Sequence, residues 1–509
     1  MQNIQTKNKF DEIIEKMITE NINGIDDSLY NLENTEKISK VFKIVDSTGS
    51  FSKLDLSKKS KMHHLKSVIT MLKDYVKVGE VKKKEVGEVM TPLELVKEML
   101  TTLPEDVWSN PNLKWLDSCN GTGPFLVMVI YKLMIGLKDW ESDEEKRYKH
   151  IVENMIYAGE LQPKNMFLFV SAIDPFDEYN LNIYTGSFLE KEFDIHMKTV
   201  WGLEKFNIVV GNPPYQDVNE KGETKHGSGK LYPEFIKKSI HFLNKNGFLL
   251  FVNPNTWFSG SEQSSTGKLF YLFKEYNLIK LNTESDSTSL QKKYFDKVGT
   301  GELTYFLLEN SKSYSKTEVN GQIFIDIGRY DFLPNILNSK TISILEKTLF
   351  MNNKKIDIVK DSGEYHSFKT TRNDNKLISS SNIEGYFKIV NSITKKAGIQ
   401  FLYMPYKNFF QDRVKILISQ SASFENMIID NGEFGFTQNV TAIICKDMEE
   451  AIYIKEFLNL DIYKYLVNIT KYGPAISPRM LSKLPFLPKN VDAYEYFQLS
   501  EDEISVIEN

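Results

Sequence analysis

Between residues 90 and 310, short apolar segments alternate with stretches of helical length, and this alternation constrains the fold more than any other feature of the chain. Apolar segments of strand length include 113–117, 155–160, 206–210 and 247–253. Parallel strands joined by helices produce such a pattern, because helices cover both faces of the sheet. The sequence therefore predicts an α/β fold with a doubly wound, mostly parallel sheet.

The segments on either side of this region follow different patterns. Residues 1–80 are rich in lysine and carry apolar residues at helical spacing, such as Phe10 and Ile14. After about residue 310 the alternation ends, and short aromatic-rich segments mix with loops rich in Lys and Asn. We therefore predict three domains, namely an N-terminal helical region (1–85), the α/β domain (86–310) and a C-terminal α+β domain (311–509).

Charge and cysteine content limit the class of protein. The formal net charge is −5, so a nucleic-acid partner would require a locally basic face. The two cysteines, Cys119 and Cys445, form no metal-ligand pattern, and we expect no metal site. The N-terminus is polar, and no apolar run approaches the roughly 18 residues that span a bilayer. These features predict a soluble, cytoplasmic protein that does not enter a membrane.

A predicted strand, 206–210, leads directly into the tetrapeptide Asn212-Pro213-Pro214-Tyr215. Asn212 has a side-chain carbonyl, and Pro213 has a main-chain carbonyl on a residue that lacks an N–H group. Two such acceptors on a stiff turn can hold both hydrogens of a planar amino group, and Tyr215 offers a ring for stacking. An ordinary proline-rich turn is the alternative. The tetrapeptide thus predicts a site for an exocyclic amine of a heterocycle or for a carboxamide nitrogen.

Polar residues also follow other predicted strands, and ligands of a doubly wound sheet bind beyond the carboxyl ends of its strands. Asp117 ends the first strand and precedes a loop in which Gly121 and Gly123 permit a tight turn. Glu160 ends the second strand, where a carboxylate can accept hydrogen bonds from both ribose hydroxyls. Carboxylates are rarely buried unpaired, which disfavours a structural role for Glu160. Leu126 stands where a dinucleotide site has its third glycine, which argues against a pyrophosphate cofactor.

These segments, in this order, resemble those of the DNA methyltransferases that use S-adenosyl-L-methionine to modify N6 of adenine. Thr91-Pro92 resembles the family's segment for the cofactor tail, 117–125 its glycine loop and Glu160 its ribose acid. Residues 186–189 resemble its adenine-pocket segment, and 212–215 its catalytic loop. Because the cofactor half precedes the catalytic half and a recognition domain follows, the layout resembles the gamma class. The resemblance implies a Rossmann-like methyltransferase sheet and a C-terminal target-recognition domain.

The resemblance also implies roles for individual residues. It implies catalytic roles for Asn212, Pro213, Pro214 and Tyr215. It implies cofactor-binding roles for Thr91, Pro92, Asp117, Asn120, Gly121, Gly123, Phe125, Glu160, Leu161, Ser187, Phe188, Asn212 and Pro214. Ser187 departs from the family, which commonly has an acid at this position to bind the amino group of the cofactor's adenine. A hydroxyl can accept that hydrogen bond, although less strongly than a carboxylate.

Double-stranded DNA is the partner that the resemblance implies, with the target adenine rotated out of the helix. Tyr215 and Phe295 would stack on that base, and core packing is the alternative for Phe295. The basic residues that are candidate DNA contacts are Lys221, Lys225, Lys230, Arg372, Lys396 and Arg413. In the C-terminal domain, Lys388, Lys407 and Lys415 are interleaved with tyrosines, a composition that suits phosphate binding.

We therefore expect a site-specific adenine methyltransferase of a bacterial or phage modification system that acts on nucleoid DNA. A cognate restriction endonuclease is a further candidate partner, and the sequence leaves the oligomeric state open. Two alternatives remain at this point. The same tetrapeptide serves enzymes that methylate a glutamine amide in protein or a guanine amino group in RNA, and a non-catalytic DNA-binding subunit could keep the same fold.

Overall fold

The computed structural model describes residues 8–54, 60–81, 90–215, 230–285, 288–295, 302–312, 315–359, 378–419, 426–472 and 476–508. The chain forms two compact units, Met1–Tyr330 and Asp331–Asn509. Among the helices in these ranges, none combines the length and the apolar character that a bilayer crossing requires.

Three N-terminal helices belong to the core of the first unit. They are α1 (Lys9–Thr19), α2 (Asn34–Val45) and α3 (Lys61–Val81). Helix α1 begins where the Asn8 side chain accepts a hydrogen bond from the Phe10 amide, and it buries one apolar face. The Phe10 ring contacts that of Phe167 edge-on, with the two centroids 5.3 Å apart. The N-terminal helices therefore share one hydrophobic core with the sheet that follows them.

The remaining helices of the first unit flank the strands of a nine-stranded sheet. These helices are α4 (Leu93–Leu100), α5 (Pro124–Gly136), α6 (Glu144–His150), α7 (Pro163–Ile173), α8 (Lys191–Thr199), α9 (Tyr232–His241), α10 (Ser265–Phe273) and α11 (Leu290–Tyr294). The strands are β1 (Trp115–Asp117), β2 (Ile156–Glu160), β3 (Asn182–Thr185), β4 (Phe206–Gly211), β5 (Leu243–Pro254), β6 (Asn277–Asn282), β9 (Leu303–Glu309), β10 (Thr317–Val319) and β11 (Ile323–Ile325). A small hairpin, β7 (Glu284–Ser285) and β8 (Thr288–Ser289), lies outside the sheet.

The strand order places the carboxyl ends of β1 and β4 side by side. The order across the sheet is β11-β10-β6-β9-β5-β4-β1-β2-β3. Strands β1 to β5 pair in parallel, whereas β9 runs antiparallel to both β5 and β6. The chain winds from β1 toward β3 and then returns to the other side of β1 with β4, so the direction of winding reverses between β1 and β4. The predicted doubly wound, mostly parallel sheet is confirmed.

Two strands lie beyond residue 310, where the predicted α/β region ends. The short strands β10 and β11 join the sheet, and the first unit extends to Tyr330. Asn320 and Gly321 form the turn between these strands, with φ angles of 52° and 68°. An Asn-Gly pair in this conformation is typical of a tight hairpin. The sequence therefore contained a hairpin signal, but three-residue strands are too short to show a period.

The second unit is α+β. Its helices are α12 (Ser339–Lys347), α13 (Met448–Leu458), α14 (Asp461–Ile469), α15 (Pro478–Leu481), α16 (Ala493–Tyr496) and α17 (Glu501–Glu508). Its strands are β12 (Phe387–Thr394), β13 (Gly398–Met404), β14 (Val414–Ser419), β15 (Met427–Asn431), β16 (Gly435–Phe436) and β17 (Val440–Ile444). They form two small sheets, β13-β12-β16 and β15-β14-β17. Helices α13 and α14 pack with β14 residues in one hydrophobic core.

Candidate active site

The loop between β1 and α5 is shaped by two glycines. Gly121 and Gly123 have φ angles of 54° and 91°, a region that favours glycine. A Cβ atom on Gly123 would lie 2.2 Å from Cδ2 of Phe169, whereas a Cβ on Gly121 would meet no atom within 4 Å. Pro124 then opens α5 at its first turn. Gly123 is therefore required by packing, and Gly121 leaves an open edge that a ligand can approach.

Glu160 holds this loop against the end of β2. Its carboxylate is buried, and its two oxygens accept hydrogen bonds from the amides of Gly121 and Gln162, each at 2.8 Å. We expected no structural role for Glu160, yet the structure shows that it positions the glycine loop. A carboxylate has about four lone-pair positions, so both oxygens can still accept further hydrogen bonds.

A second carboxylate, Asp117, lies beside Glu160 at the end of β1. It is 1% exposed, and its Oδ1 accepts a hydrogen bond from the Cys119 amide at 3.1 Å. Burial, with a smaller contribution from the charge of Glu160, raises the pKa of Asp117 to about 8. Burial and the same two acids raise the pKa of the Cys119 thiol well above its ordinary value. Burial in this corner of the site therefore favours the neutral form of the Asp117 carboxyl group and of the Cys119 thiol, and a neutral thiol is unreactive.

Asn212 follows β4 directly and reaches across to the segment that precedes α4. Its Nδ2 donates a hydrogen bond to the Thr91 hydroxyl oxygen at 3.0 Å. Its Oδ1 is buried and has no hydrogen-bond partner among the residues that the structure describes. Of the next two residues, Pro213 is buried and Pro214 is exposed. The structure thus brings together Thr91 and Asn212, two predicted site residues far apart in sequence.

The two predicted stacking aromatics are both buried. Tyr215 is 9% exposed and Phe295 is 1% exposed, and both belong to the core of the first unit. Burial raises the pKa of the Tyr215 hydroxyl, and the nearby Asn212 side chain opposes that shift without forming a well-shaped hydrogen bond. The Leu231 amide donates to the Tyr215 carbonyl at 3.3 Å, so these two residues, which flank the segment 216–230, are neighbours in the structure. Lys221 and Lys225 belong to that segment, outside the described residues.

A cavity of about 70 Å³ lies between the glycine loop and Asn212. It is lined by Val76, Met90, Thr91, Asp117, Cys119, Asn120, Gly121, Thr122, Pro124, Phe125 and Asn212. The buried Asn120 Oδ1 is also without a hydrogen-bond partner in the described part of the chain. Ligand pockets commonly exceed about 300 Å³, so a nucleoside-sized ligand would extend beyond this enclosed part. Unpartnered amide oxygens, two acids and an open glycine edge fit a polar ligand with hydroxyl and amino donors.

Val76 and Met90 are lining residues that sequence reasoning missed. Val76 belongs to α3, and its apolar side chain is typical of a helix that packs against any core. Helix α3 packs on α5, which begins at the glycine loop. No local pattern in 61–81 indicates a role in a ligand site, so only the packing of the helices could reveal it.

The predicted adenine-pocket segment lies next to Glu160. The Gly186 amide donates to the Glu160 carbonyl at 2.9 Å, which fixes the start of this segment at the end of β2. Leu161 is 63% exposed and Ser187 is partly exposed, so both are accessible. Phe188 is buried instead, with its ring centroid 4.8 Å from that of Phe193. Leu161 and Ser187 can therefore contact a ligand directly, whereas Phe188 packs within an aromatic cluster.

The candidate DNA-contacting residues differ in their exposure to solvent. Lys230 is partly buried, its Nζ donates to the Thr256 hydroxyl at 3.1 Å, and burial lowers its pKa. Lys396 and Arg413 are exposed in the second unit, and Arg372 lies outside the described residues. The interpretation of Lys415 as a phosphate-binding residue is wrong. Lys415 is fully buried and pairs with Asp430, because its position on β14 points into the core.

Known proteins match this chain over the α/β region and beyond it. Residues 129–289 match the model of the Eco57I restriction-modification methylase family. An uncharacterised adenine-specific methylase of Mycoplasma pneumoniae is 26% identical over 348 residues, which cover 54% of this chain and 81% of that protein. The modification methylase CviBIII of Paramecium bursaria Chlorella virus NC1A is 21% identical over 427 residues, which cover 79% of this chain and 94% of the viral protein.

Solved structures that align with this chain include restriction-modification enzymes. The ATP-dependent Type ISP enzyme LlaBIII bound to DNA aligns with 99% of this chain and 47% of its own, with a TM-score of 0.49 and 12% identity. The M protein of the Type I restriction enzyme EcoKI aligns with 59% of this chain and 67% of its own, with a TM-score of 0.33 and 12% identity. The sequence matches support an adenine N6 DNA methyltransferase family for this chain, and residues 129–289 are the part that is similar to the Eco57I restriction-modification methylase domain.

Proposed function

We propose that this chain is a site-specific DNA methyltransferase that transfers the methyl group of S-adenosyl-L-methionine to N6 of adenine. The observation that carries the proposal is the buried Asn212 Oδ1, which lacks a partner among the described residues and belongs to a cavity-lining side chain. A buried acceptor without a hydrogen bond costs free energy, about 1 to 3 kcal/mol. Such an atom is consistent with a ligand that supplies the missing hydrogen, and an amino group does so.

The relatives support adenine in DNA as the substrate. One matched protein is named as an adenine-specific methylase and another as a modification methylase, and the alignments cover most of both. Under this proposal a glutamine amide or an RNA guanine is not the substrate. The length of the second unit supports the same choice. A separate unit can recognise a sequence in DNA, whereas an enzyme that methylates a glutamine in a short peptide segment does not need one.

The residues at the ends of β1 and β2 fit the cofactor. S-adenosyl-L-methionine, when bound, supplies an electrophilic methyl group. In our proposal, Glu160 accepts hydrogen bonds from the ribose hydroxyls while it keeps its contacts with the backbone. Leu161 covers the adenine, Ser187 accepts from its amino group, and Thr91 and Pro92 border the amino-acid tail. The open edge at Gly121 leaves space for this ligand, because a side chain at that position would meet no protein atom.

Asn212 and Pro213 then prepare the target nitrogen. The amino group of adenine is a weak nucleophile, because its lone pair is delocalised into the ring. Asn212 Oδ1 and the Pro213 carbonyl accept its two hydrogens, which draws the lone pair back toward nitrogen. Thr91 takes the hydrogen bond from Nδ2, so Oδ1 is left for the base. Orientation and fixed dipoles provide most of the acceleration in such a site.

The target base reaches this site by rotating out of the duplex, as it does in other base-modifying enzymes. Tyr215 stacks on it in our proposal, which requires its ring to become more exposed than 9%. Lys221, Lys225 and Lys230 contact the DNA near the base. The second unit acts as the recognition domain, in which Arg372, Lys396 and Arg413 contact DNA, and the gamma-class layout follows. A modification system with a cognate endonuclease is the biological setting that we propose.

The test is methyl transfer by an Asn212→Ala variant. We expect the wild-type chain to form N6-methyladenine in unmethylated plasmid DNA, as measured by mass spectrometry of the hydrolysed DNA. The variant should lose activity by about 100-fold or more, in line with the loss of a pre-placed polar group. Asn180→Ala is the control, because Asn180 is exposed before β3 at the opposite edge of the sheet. A methylated product in protein or RNA instead of DNA would overturn the proposal.

A further inference from the structure

Helix α1 runs beside β3, the strand at one edge of the nine-stranded sheet. The Lys9 ammonium group donates to the Tyr179 carbonyl, which precedes β3, at 2.5 Å. The Lys16 ammonium group donates to the Thr185 carbonyl, at the end of β3. Lys9 and Lys16 are seven residues apart, close to two helical turns, so they lie on the same side of α1. The helix therefore points in the same direction as the strand, and it ends at the carboxyl edge of the sheet.

Glu20 is the next residue on that side of α1. It follows Lys16 by four residues, which is about one turn and about 6 Å along the helix axis. It therefore extends beyond the end of β3, toward Ser187. The charge of Lys164 also acts on Glu20, and Lys164 lies in the first turn of α7, just after Glu160. Glu20 is thus close to the carboxyl ends of both β2 and β3, where the proposed ribose and adenine contacts lie.

A hydrogen-bonded turn fixes the backbone at Glu20. The Asn21 amide donates to the Ile18 carbonyl at 2.9 Å, and the Ile22 amide donates to the Met17 carbonyl at 3.0 Å. Asn21 has a φ angle of 55°, the left-handed conformation in which many helices end. Glu20 is therefore the last residue before the chain turns away from α1, and its backbone is already ordered without a ligand.

An acid is poorly matched to this position in the helix. A helix carries a partial negative charge at its C-terminal end, so an acid there is electrostatically unfavourable. Among the described residues, Lys16 and Lys164 place positive charge near the Glu20 carboxylate, but none donates a hydrogen bond to it. Burial by the surrounding protein raises the pKa of Glu20, although both lysines oppose the shift. Because the side chain is nevertheless exposed, a ligand that brings a hydrogen-bond donor can reach it.

The cofactor proposed for this edge of the sheet brings such a donor. In the proposed function, Leu161 covers the adenine of S-adenosyl-L-methionine and Ser187 accepts a hydrogen bond from its amino group. The two hydrogens of that amino group point in different directions, so one hydroxyl oxygen accepts only one of them. The other hydrogen needs a second acceptor, and a carboxylate is a stronger acceptor than a hydroxyl group.

We infer that Glu20 is a cofactor-binding residue whose carboxylate accepts the second hydrogen of the adenine amino group. This inference rests on the proposed function, and it gives the N-terminal helical region a part in cofactor binding. An ionised carboxylate accepts hydrogen bonds and cannot donate one. Glu20 therefore favours a purine with an amino group at position 6 over a purine with an oxygen there, because that oxygen would meet negative charge.

The experiment measures the binding of two probes to the full-length protein by isothermal titration calorimetry. S-adenosylhomocysteine carries the 6-amino group, and S-inosylhomocysteine carries an oxygen in its place. We expect Glu20→Ala to bind the adenosyl probe about tenfold more weakly than the wild type does, since a hydrogen bond to a charged acceptor is lost. The same variant should bind the inosyl probe at least as tightly as the wild type, because the repulsion of its oxygen is removed.

Glu12→Ala is the matched control. Glu12 is also exposed on α1, and its charge acts on Lys16 as that of Glu20 does. It lies one turn before Lys16, however, and so beside β3 rather than beyond its end. Its replacement should leave the affinity for both probes within about twofold of wild type, because exposed charges contribute little. Equal losses in the two variants would show that the acids act through Lys16, which overturns the inference.

The remaining outcomes separate the inference from the proposed function. If the wild-type protein binds the adenosyl probe and Glu20→Ala binds it equally well, the inference is wrong and the proposed function stands. If Glu20→Ala weakens the binding of both probes to the same extent, Glu20 only supports the fold, which also overturns the inference. If the wild-type protein binds neither probe and does not methylate DNA, both the inference and the proposed function fail.

Discussion

The Asn212 side-chain amide donates to the Thr91 hydroxyl at 3.0 Å, across 121 positions of sequence. This hydrogen bond uses Nδ2 and leaves the buried Oδ1 as an acceptor without a hydrogen-bond partner among the described residues. One threonine therefore sets the orientation of the amide on which the proposed chemistry depends.

Replacing Thr91 by valine should lower turnover. Valine keeps the shape but removes the acceptor, so the Asn212 amide is free to turn. We expect kcat to fall about tenfold, since a misdirected polar group loses orientation as well as one hydrogen bond. Steady-state kinetics with S-adenosyl-L-methionine and plasmid DNA measures this change. Thr91→Ser keeps the hydroxyl and should stay near wild type, and a fully active Thr91→Val variant would contradict the role assigned to Thr91.

Replacing Glu160 by glutamine should weaken cofactor binding. The amide of glutamine places an NH2 group where one backbone N–H now donates, so the loop at Gly121 or the turn at Gln162 loses its acceptor. Hydrogen bonds to a charged acceptor contribute about 1.5 to 3 kcal/mol, so we expect the dissociation constant to rise about 10- to 100-fold. Isothermal titration calorimetry measures it.

Glu153→Gln is the control for this experiment. Glu153 Oε1 also accepts a backbone hydrogen bond, from the Asn180 amide at 3.0 Å, but it precedes β2 at the opposite edge of the sheet. Its replacement should leave cofactor affinity within about twofold, well under the 1.4 kcal/mol that a tenfold change requires. Equal losses in the two variants would show that the effect of Glu160 is not specific to the site.

Alanine at the two loop glycines should separate backbone strain from packing. Gly121→Ala meets only the cost of a left-handed backbone, about 1 to 2 kcal/mol. Gly123→Ala adds a clash with the Phe169 ring, so we expect its free energy of unfolding to fall by about 2 to 5 kcal/mol in total. Urea unfolding followed by tryptophan fluorescence measures both, because all five tryptophans lie in the first unit. Equal destabilisation by the two substitutions would contradict the packing argument.

Asp117 should make the first unit less stable as the pH rises from about 4 to about 8. In the unfolded chain Asp117 loses its proton near its ordinary pKa of 3.8, whereas in the folded chain it keeps the proton up to about 8. Between these values unfolding releases a proton, so a higher pH favours unfolding, by up to about 1.4 kcal/mol per pH unit. Asp117→Asn should lack this slope in urea unfolding. Parallel pH profiles for the two proteins would rule out a raised pKa.

Removal of the buried Lys415 charge should destabilise the second unit. Lys415→Met leaves Asp430 buried without a counter-charge, which typically costs about 3 to 5 kcal/mol. Hydrogen exchange of the β14 and β15 amides measures the loss. Lys407→Met is the control, since Lys407 pairs with Asp412 at the surface and should contribute less than about 1 kcal/mol. Similar losses of stability in the two variants would show that burial does not determine how much an ion pair contributes.

Much of the fold could be predicted because strands and helices leave local patterns. The predicted strand 206–210 is observed as Phe206–Gly211, and the predicted strand 155–160 as Ile156–Glu160. The hairpin of β10 and β11 escaped prediction because each strand has only three residues. The chemistry of each side chain is also known from the sequence, so the polar groups that follow the predicted strands could be identified without the structure.

Burial could not be predicted in the same way. Lysine is usually a surface residue, yet the side chain of Lys415 is buried and pairs with Asp430 in the core. Glu160 was expected to serve a ligand only, yet it also holds two backbone amides. Val76 lines the cavity from a helix whose sequence shows only an ordinary apolar face. In each case the environment is built by residues that are distant in sequence.

By itself, the sequence determined the α/β class and the identity of the polar groups that follow β1, β2 and β4, because periodicity and side-chain chemistry are properties of short segments. Tertiary structure alone decided which of these groups meet. Thr91 reaches Asn212 and Glu160 reaches Gly121 because parallel strands with a reversed winding order bring their carboxyl ends to one edge. That order depends on packing over the whole sheet, which no short segment encodes.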